Sequence, residues 1–364
     1  MRQRELTIPV GDLELECGET LPAVEQHVTI YGEPNADCSN VVLAPHALTG
    51  SSRVAEWWPA IVGENALFDP NHWCVIGINA LGGCYGSTGP RTISLSTIGA
   101  ASTVEKDVLN AFPRITVGDI VRAQQRAIDY LGLEHLALVI GGSLGGMQAL
   151  QWAVDAPHRI NHAVVIGAHD HHSAMGIALN AVQREGLALD RIRGLRLARK
   201  IALLTYKSQE LLNERHGRRS DRLGQSRFDV EGYLEYQADR FEGRMDAATY
   251  ATLTHAMDSF DVRNALIRSS NPPRVTFIGI SSDWLFRPED VQAASERFRL
   301  RGLPSQYIEL TSSHGHDAFL VESKELVVHL RPLLPSLSEL AQIRDCSVYP
   351  LFMRRRPLQF ERDL

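Results

Sequence analysis

The chain has 364 residues, 44% of them hydrophobic, and a formal net charge of −6. That is ample for a large core, either one big α/β domain with an insertion or two modest domains, and nothing in the charge balance points to nucleic acid or an anionic membrane as partner. No apolar run is long enough to span a bilayer, and the five scattered cysteines (Cys17, Cys38, Cys74, Cys84, Cys346) lack metal-type spacing and read as free thiols in a reducing compartment.

In chain order, Met1 to Leu6 lacks the apolar core of a signal peptide, which favours a cytoplasmic location. Val41 to Ala44 is the first strand-like run, and Pro45 to Gly50 is the loop after it. Trp73 to Ile78 is the next strand, followed by a glycine-rich stretch, Asn79 to Gly89. That stretch lacks the lysine of a phosphate loop and the spacing of a dinucleotide fingerprint, so it reads as a tight loop beside a pocket. Apolar residues Ile120, Ala123, Ala127, Ile128 and Leu131 recur at helical spacing, with Asp119 as the expected cap. Leu136 to Ile140 and Ala163 to Ile166 are further strands. These are continuous apolar runs rather than alternations, which suits central strands covered on both faces.

From about His169 to Leu266 the pattern turns helical and highly charged. Between Arg184 and Arg227 there are twelve Lys/Arg against five Asp/Glu. This predicts a helical lid over 169–268 inserted between two parts of an α/β core, 1–168 and 269–364, which resumes near Pro272-Pro273. The arginines suit either the phosphates of a carrier such as coenzyme A or a solvated helical surface. His169-Asp170-His171-His172 lacks the i, i+4 spacing of a helical metal site, and no metal is expected. Val275 to Ile280 and Tyr307 to Leu310 complete the strands, and the basic tail after Pro350, with Arg354-Arg355-Arg356, is expected at the surface. The βα alternation predicts a mostly parallel, doubly wound sheet.

The most informative stretch is Gly141-Gly142-Ser143-Leu144-Gly145. It lies at a strand-to-helix junction, with Met147, Leu150 and Val154 at helical spacing behind it, and so reads as a nucleophile elbow. A serine hydroxyl needs a base in hydrogen-bond reach and an acid to orient that base. In this architecture the acid follows a late strand and the histidine follows the last one. Asp283, just after Ile280, is the expected acid. The loop Ser312 to Asp317 offers His314 and His316 as base, and a capping or ordinary loop role is the rival reading for each. An acyl-transfer oxyanion needs two backbone donors. Leu144, after the nucleophile, and Leu48, in the loop after the first strand, fill those positions. Cys84 has no assignable base and is not expected to act as a nucleophile.

Long strings then carry a resemblance over nearly the whole chain. His46 to Gly50, Leu81 to Pro90, Phe112 to Thr116, Gly141 to Trp152 (GGSLGGMQALQW), Ser282 to Phe286 and Gly315 to Leu320 resemble the homoserine O-acyltransferases, a branch of the α/β-hydrolase fold. The resemblance implies Ser143, Asp283 and His316 as triad. It further implies Arg184 as partner of the substrate carboxylate and Asp317 as partner of its ammonium group. It implies acetyl-CoA as acyl donor, with no bound cofactor, L-homoserine as acceptor in methionine biosynthesis, and a homodimer formed through the lid. Succinyl-CoA as donor, L-serine as acceptor, a plain esterase and a catalytically inactive binding module stay open as alternatives. The family elbow often has Met where Leu144 stands.

Overall fold

The computed structural model describes residues 3–92, 112–221 and 227–335. Cys346, the basic tail and the end of the second core segment lie outside these residues. Among the described residues, eight strands form one sheet: β1 (Gln3–Glu14), β2 (Thr20–Tyr31), β3 (Val41–Leu43), β4 (Cys74–Ile78), β5 (Leu138–Gly142), β6 (His162–Ile166), β7 (Arg274–Ile280) and β8 (Ser305–Leu310). Their order is β1-β2-β4-β3-β5-β6-β7-β8. From β4 to β8 every pairing is parallel, and the β1–β2 and β2–β4 pairings are antiparallel.

Alternate residues of the central strands feed two separate cores. Val139, Val165 and Phe277 belong to one face; Leu138, Ile140, Val164, Ile166 and Ile278 belong to the other. Both faces are dry, which is why these strands carry unbroken apolar runs. The first face is covered by α2 (Val117–Tyr130), α3 (Leu144–Asp155) and α9 (Pro288–Leu300).

The edge hairpin β1–β2 was not among the predicted strands. Pro9 and Gly11 interrupt β1, and its register shifts between Pro9 and Gly11 and again between Gly11 and Leu13. An edge strand tolerates such breaks, so the usual counter-signals to strand do not apply there. The start of α2 is also corrected. Thr116, not Asp119, is the N-cap, and Asp119 is the third helical residue of a capping box in which the two side chains cap each other's backbone N–H. Asp119 Oδ1 additionally accepts from Glu16 N at 2.9 Å, tying the hairpin to the helix.

Among the described residues, five helices lie between β6 and β7: α4 (Ala174–Leu189), α5 (Arg191–Tyr206), α6 (Gln209–Arg215), α7 (Asp229–Glu242) and α8 (Ala247–Asp258). Strand β7 begins directly after Pro272-Pro273. Part of the basic charge of α5 is spent within this layer, since Arg196 pairs with Glu235 (2.8 Å) and Glu242 (3.3 Å) of α7 and Lys200 also pairs with Glu235. No helix among the described residues is long and apolar enough to cross a membrane.

Candidate active site

Strands β3, β5, β7 and β8 all end at the same edge of the sheet, and the chemistry-bearing residues follow those ends. Ser143 joins β5 to α3 with φ +58° and ψ −125°, a left-handed backbone that a side-chain-bearing residue adopts only under constraint. The constraint is visible at its neighbours. A Cβ at Gly141 would fall 2.4 Å from the Gly145 backbone, and one at Gly145 would fall 2.3 Å from Pro45 O. Strand, helix and the loop after β3 therefore touch backbone to backbone around the serine. Ser143 Oγ caps no N–H of α3.

Asp283 follows β7 and is 2% exposed. Its Oδ1 accepts from the N–H groups of Leu285 (2.9 Å) and Phe286 (3.0 Å), and its Oδ2 lies 2.6 Å from His316 Nδ1. His316 sits in a 3-10 turn, Gly315–Asp317, after β8, and is 2% exposed. Its Nε2 is buried and has no hydrogen-bond partner among the described residues. Burial disfavours the imidazolium, but the charge and hydrogen bond of Asp283 outweigh it and raise the His316 pKa above the ordinary range. His314 faces elsewhere: its Nδ1 is 2.9 Å from Glu322 Oε1.

Ser143 and His316 open onto one cleft of about 630 Å³. The Leu48 N–H donates to no group among the described residues, and Leu48 lines the cleft. Leu144 is the first residue of α3, so its N–H has no acceptor within the helix. A second, smaller cavity of about 20 Å³ also reaches Ser143 and Leu48 but not His316; Asn180, Gln183, Tyr250 and Leu285 are among its walls.

A family model for the alpha/beta hydrolase fold matches residues 40–323. The homoserine O-succinyltransferase of Neisseria gonorrhoeae (strain ATCC 700825 / FA 1090) is 40% identical over 347 residues, covering 86% of this chain and 90% of that protein. The homoserine O-acetyltransferase of Acidiphilium cryptum (strain JF-5) is 39% identical over 350 residues, with the same two coverages of 86% and 90%. The crystal structure of homoserine O-acetyltransferase from Bacillus anthracis superposes with a TM-score of 0.81 over 92% of this chain and 98% of that one, at 21% identity, and so speaks to the fold. The chain belongs to the homoserine O-acyltransferase family.

Within this family member the two residues expected to hold the acceptor are placed differently. Asp317 lines the cleft, but its Oδ2 already takes Lys207 Nζ at 2.6 Å. Arg184 does not line the larger cleft, and its buried Nη1 has no hydrogen-bond partner among the described residues. Its Nη2 donates to Asp258 Oδ2 at 2.6 Å, and Asn180 Nδ2 donates to the other oxygen of Asp258 at 2.8 Å. Three arginines line the cleft, Arg53, Arg199 and Arg244. Arg53 is held by Glu5 and Arg244 donates to Thr49 O, whereas Arg199, which the sequence reading left among the undifferentiated arginines of the lid, has no ion pair among the described residues. Its Nε is buried and unpartnered among the described residues, and its guanidinium lies 5.0 Å from the Phe241 ring centre. Arg199, Ala202 and Tyr206 fall at i, i+3, i+7, the face of α5 that meets the two cavities.

Asn79 and Tyr85 of the glycine-rich loop also line the cleft. Burial pushes the Cys84 thiol up to about 11, which leaves it protonated and unreactive at neutral pH. His169, Asp170 and His171 bring ligand-type atoms within 4.8 Å of one another, and Asp170 is gripped by Arg297 through two bonds of 2.7 Å.

Proposed function

We propose that this protein transfers an acetyl group from a coenzyme A thioester to the side-chain hydroxyl of L-homoserine through an acetyl-Ser143 intermediate. The observation that carries the reading is the buried Asp283–His316 pair, whose Nε2 has no partner among the described residues and whose histidine lines the same cleft as a serine held in strained backbone. Ser143 Oγ attacks the thioester carbon and its proton passes to His316 Nε2. Asp283 holds the Nδ1–H and stabilises the imidazolium. The N–H groups of Leu48 and Leu144 take the charge that develops on the carbonyl oxygen. The C–S bond breaks, the proton on His316 goes to the departing sulfur, and acetyl-Ser143 remains. The hydroxyl of homoserine then loses its proton to His316 as it attacks the acyl carbon. Collapse returns that proton to Ser143 Oγ and releases the O-acyl amino acid.

A zwitterionic acceptor is oriented by one fixed charge of each sign. Arg199 supplies the cation and Asp317 the carboxylate, with Lys207 sharing the latter.

Acetyl is taken as the acyl group because the Acidiphilium cryptum relative is named for acetyl transfer. Whatever leaves or attacks sits on the side of His316, because His316 moves the proton, so the acyl substituent would point to the other side, toward the small cavity walled by Asn180, Gln183, Tyr250 and Leu285. The second reading, succinyl transfer, is favoured by the name of the Neisseria gonorrhoeae relative and by the polar wall of that cavity.

The test is thiol release by purified protein with acetyl-CoA or succinyl-CoA, alone and then with L-homoserine or L-serine. The expected result is release with acetyl-CoA that accelerates many-fold on adding homoserine. Preference for succinyl-CoA selects the second reading, preference for serine changes the acceptor, and equal release without acceptor identifies an esterase.

A further inference from the structure

Three buried polar side chains behind Ser143 form a continuous hydrogen-bonded row, ending on two backbone carbonyls, that the proposed chemistry does not use. Trp152 Nε1 donates to Gln124 Oε1 at 2.9 Å, and Gln124 Nε2 donates to Gln148 Oε1 at 2.7 Å. Gln148 Nε2 then donates twice, to Leu144 O at 3.1 Å and to His46 O at 3.2 Å. Trp152, Gln124 and Gln148 are 0% exposed and His46 is 2% exposed. A glutamine in a dry interior is expensive unless its donors and acceptor are all used, and Gln148 uses all of them.

What the row connects decides its role. Leu144 O and His46 O belong to two different backbones, the start of α3 and the loop after β3. These are the two segments that carry the oxyanion donors, Leu144 and Leu48. One carboxamide therefore spans the two halves of the oxyanion hole. The loop half is fixed from its other side by the His46 imidazole. Nε2 accepts from Ala80 N at 3.0 Å, so Nδ1 carries the hydrogen and donates to Ala47 O at 2.8 Å. Ala47 O also accepts from Gly50 N at 2.9 Å, closing the turn that contains Leu48. Burial lowers the His46 pKa, which keeps the neutral form that this pair of bonds requires.

We propose that Gln148 is a positioning residue that sets the separation of the Leu48 and Leu144 N–H groups, with His46 fixing the loop that carries Leu48. The proposal rests on the acyl-serine reading of the site. Donors to an oxyanion act only within a few tenths of an ångström of ideal distance, and loss of one donor outright costs about 10²–10³ in kcat. Loosening the spacer leaves both donors present but misplaced, so a smaller loss, about 10–100-fold, is expected.

The experiment compares wild type with Gln148→Leu, which keeps the volume and removes both donors. It measures kcat, KM for thioester and acceptor, affinity for free coenzyme A, and affinity for a small trifluoromethyl ketone. The ketone adds to Ser143 and presents a tetrahedral oxyanion; coenzyme A does not. The expected result is that kcat and ketone affinity fall together by about 10–100-fold, while both KM values and coenzyme A affinity change less than about threefold. Unchanged ketone affinity in a folded variant overturns the proposal, as does an equal loss of ketone and coenzyme A affinity, which marks a general packing defect. If Gln148→Leu does not fold, Gln124→Leu decides in its place. It frees the Gln148 carboxamide to rotate without touching the hole, and the same paired loss, smaller in size, is expected. Wild type that forms no ketone adduct on Ser143 refutes the acyl-serine reading instead, so the two failures are separable.

Discussion

In the proposed mechanism Ser143, Asp283 and His316 divide the labour so that each substitution has its own signature. Ser143→Ala should abolish acetyl-enzyme formation, followed by mass spectrometry after mixing with acetyl-CoA, and leave the melting curve nearly unchanged. Asp283→Asn keeps the shape but leaves His316 without its anion, and kcat should fall about 10⁴-fold. The pH profile adds a sign. His316 acts as base only when neutral, and its pKa is raised by Asp283 against the opposing effect of burial. Activity should therefore fall on the acid side at a pH above that of an ordinary histidine. In Asp283→Asn the residual activity should persist to lower pH, and an acid limb that does not move would contradict the assigned coupling. Arg199 and Arg184 separate in the same way. Arg199→Met should raise KM for homoserine at least tenfold while acetyl-enzyme still forms. Arg184→Met should leave a largely buried Asp258 half-paired, cost about 3 kcal/mol in urea unfolding, and act on stability more than on acceptor KM.

At the scale of elements, Ser143 at its strand-helix junction and the Asp283–His316 pair were legible in the sequence because each follows an apolar strand run ending in a turn, and because chain order limits the choices. The sequence showed six of the strands for the same reason. It did not show the edge hairpin, whose Pro9 and Gly11 look like breakers until the strand is known to lie at an edge. It did not separate Arg199 from the other lid arginines, because which face of α5 looks inward depends on how the lid packs. The row from Trp152 to His46 was equally hidden: glutamines at 124 and 148 meet only through tertiary contact. Buried histidines at the strand ends give a further test. Burial, the largest cause in each case, drives His162, His169 and His172 down to about 4. Unfolded histidine titrates near ~6.5, so between those values the unfolded chain binds more protons than the native one. Stability should accordingly decline as pH drops from about 6.5 toward 4, by up to ~3 kcal/mol per histidine. Urea midpoints at pH 7 and pH 5 check this, and equal midpoints would show that these rings are not held neutral.

At the scale of the molecule, the lid leaves much apolar surface uncovered. Met175, Val182 and Leu189 of α4 and Ile192, Leu197 and Leu204 of α5 are 60%, 54%, 83%, 60%, 46% and 44% exposed. Such a patch on one layer suits association with a second copy. Light scattering should return twice the chain mass, and Leu189→Glu with Ile192→Glu should halve it.

The one-sided placement of the imidazole has a kinetic cost. On the proposed mechanism coenzyme A and the amino acid both meet the same ring from the same cleft, so neither can wait in a place of its own while the other reacts. An amino acid that arrives too early blocks the thioester. Raising homoserine at fixed, low acetyl-CoA should first speed turnover and then slow it, and adding more thioester should relieve the slowing.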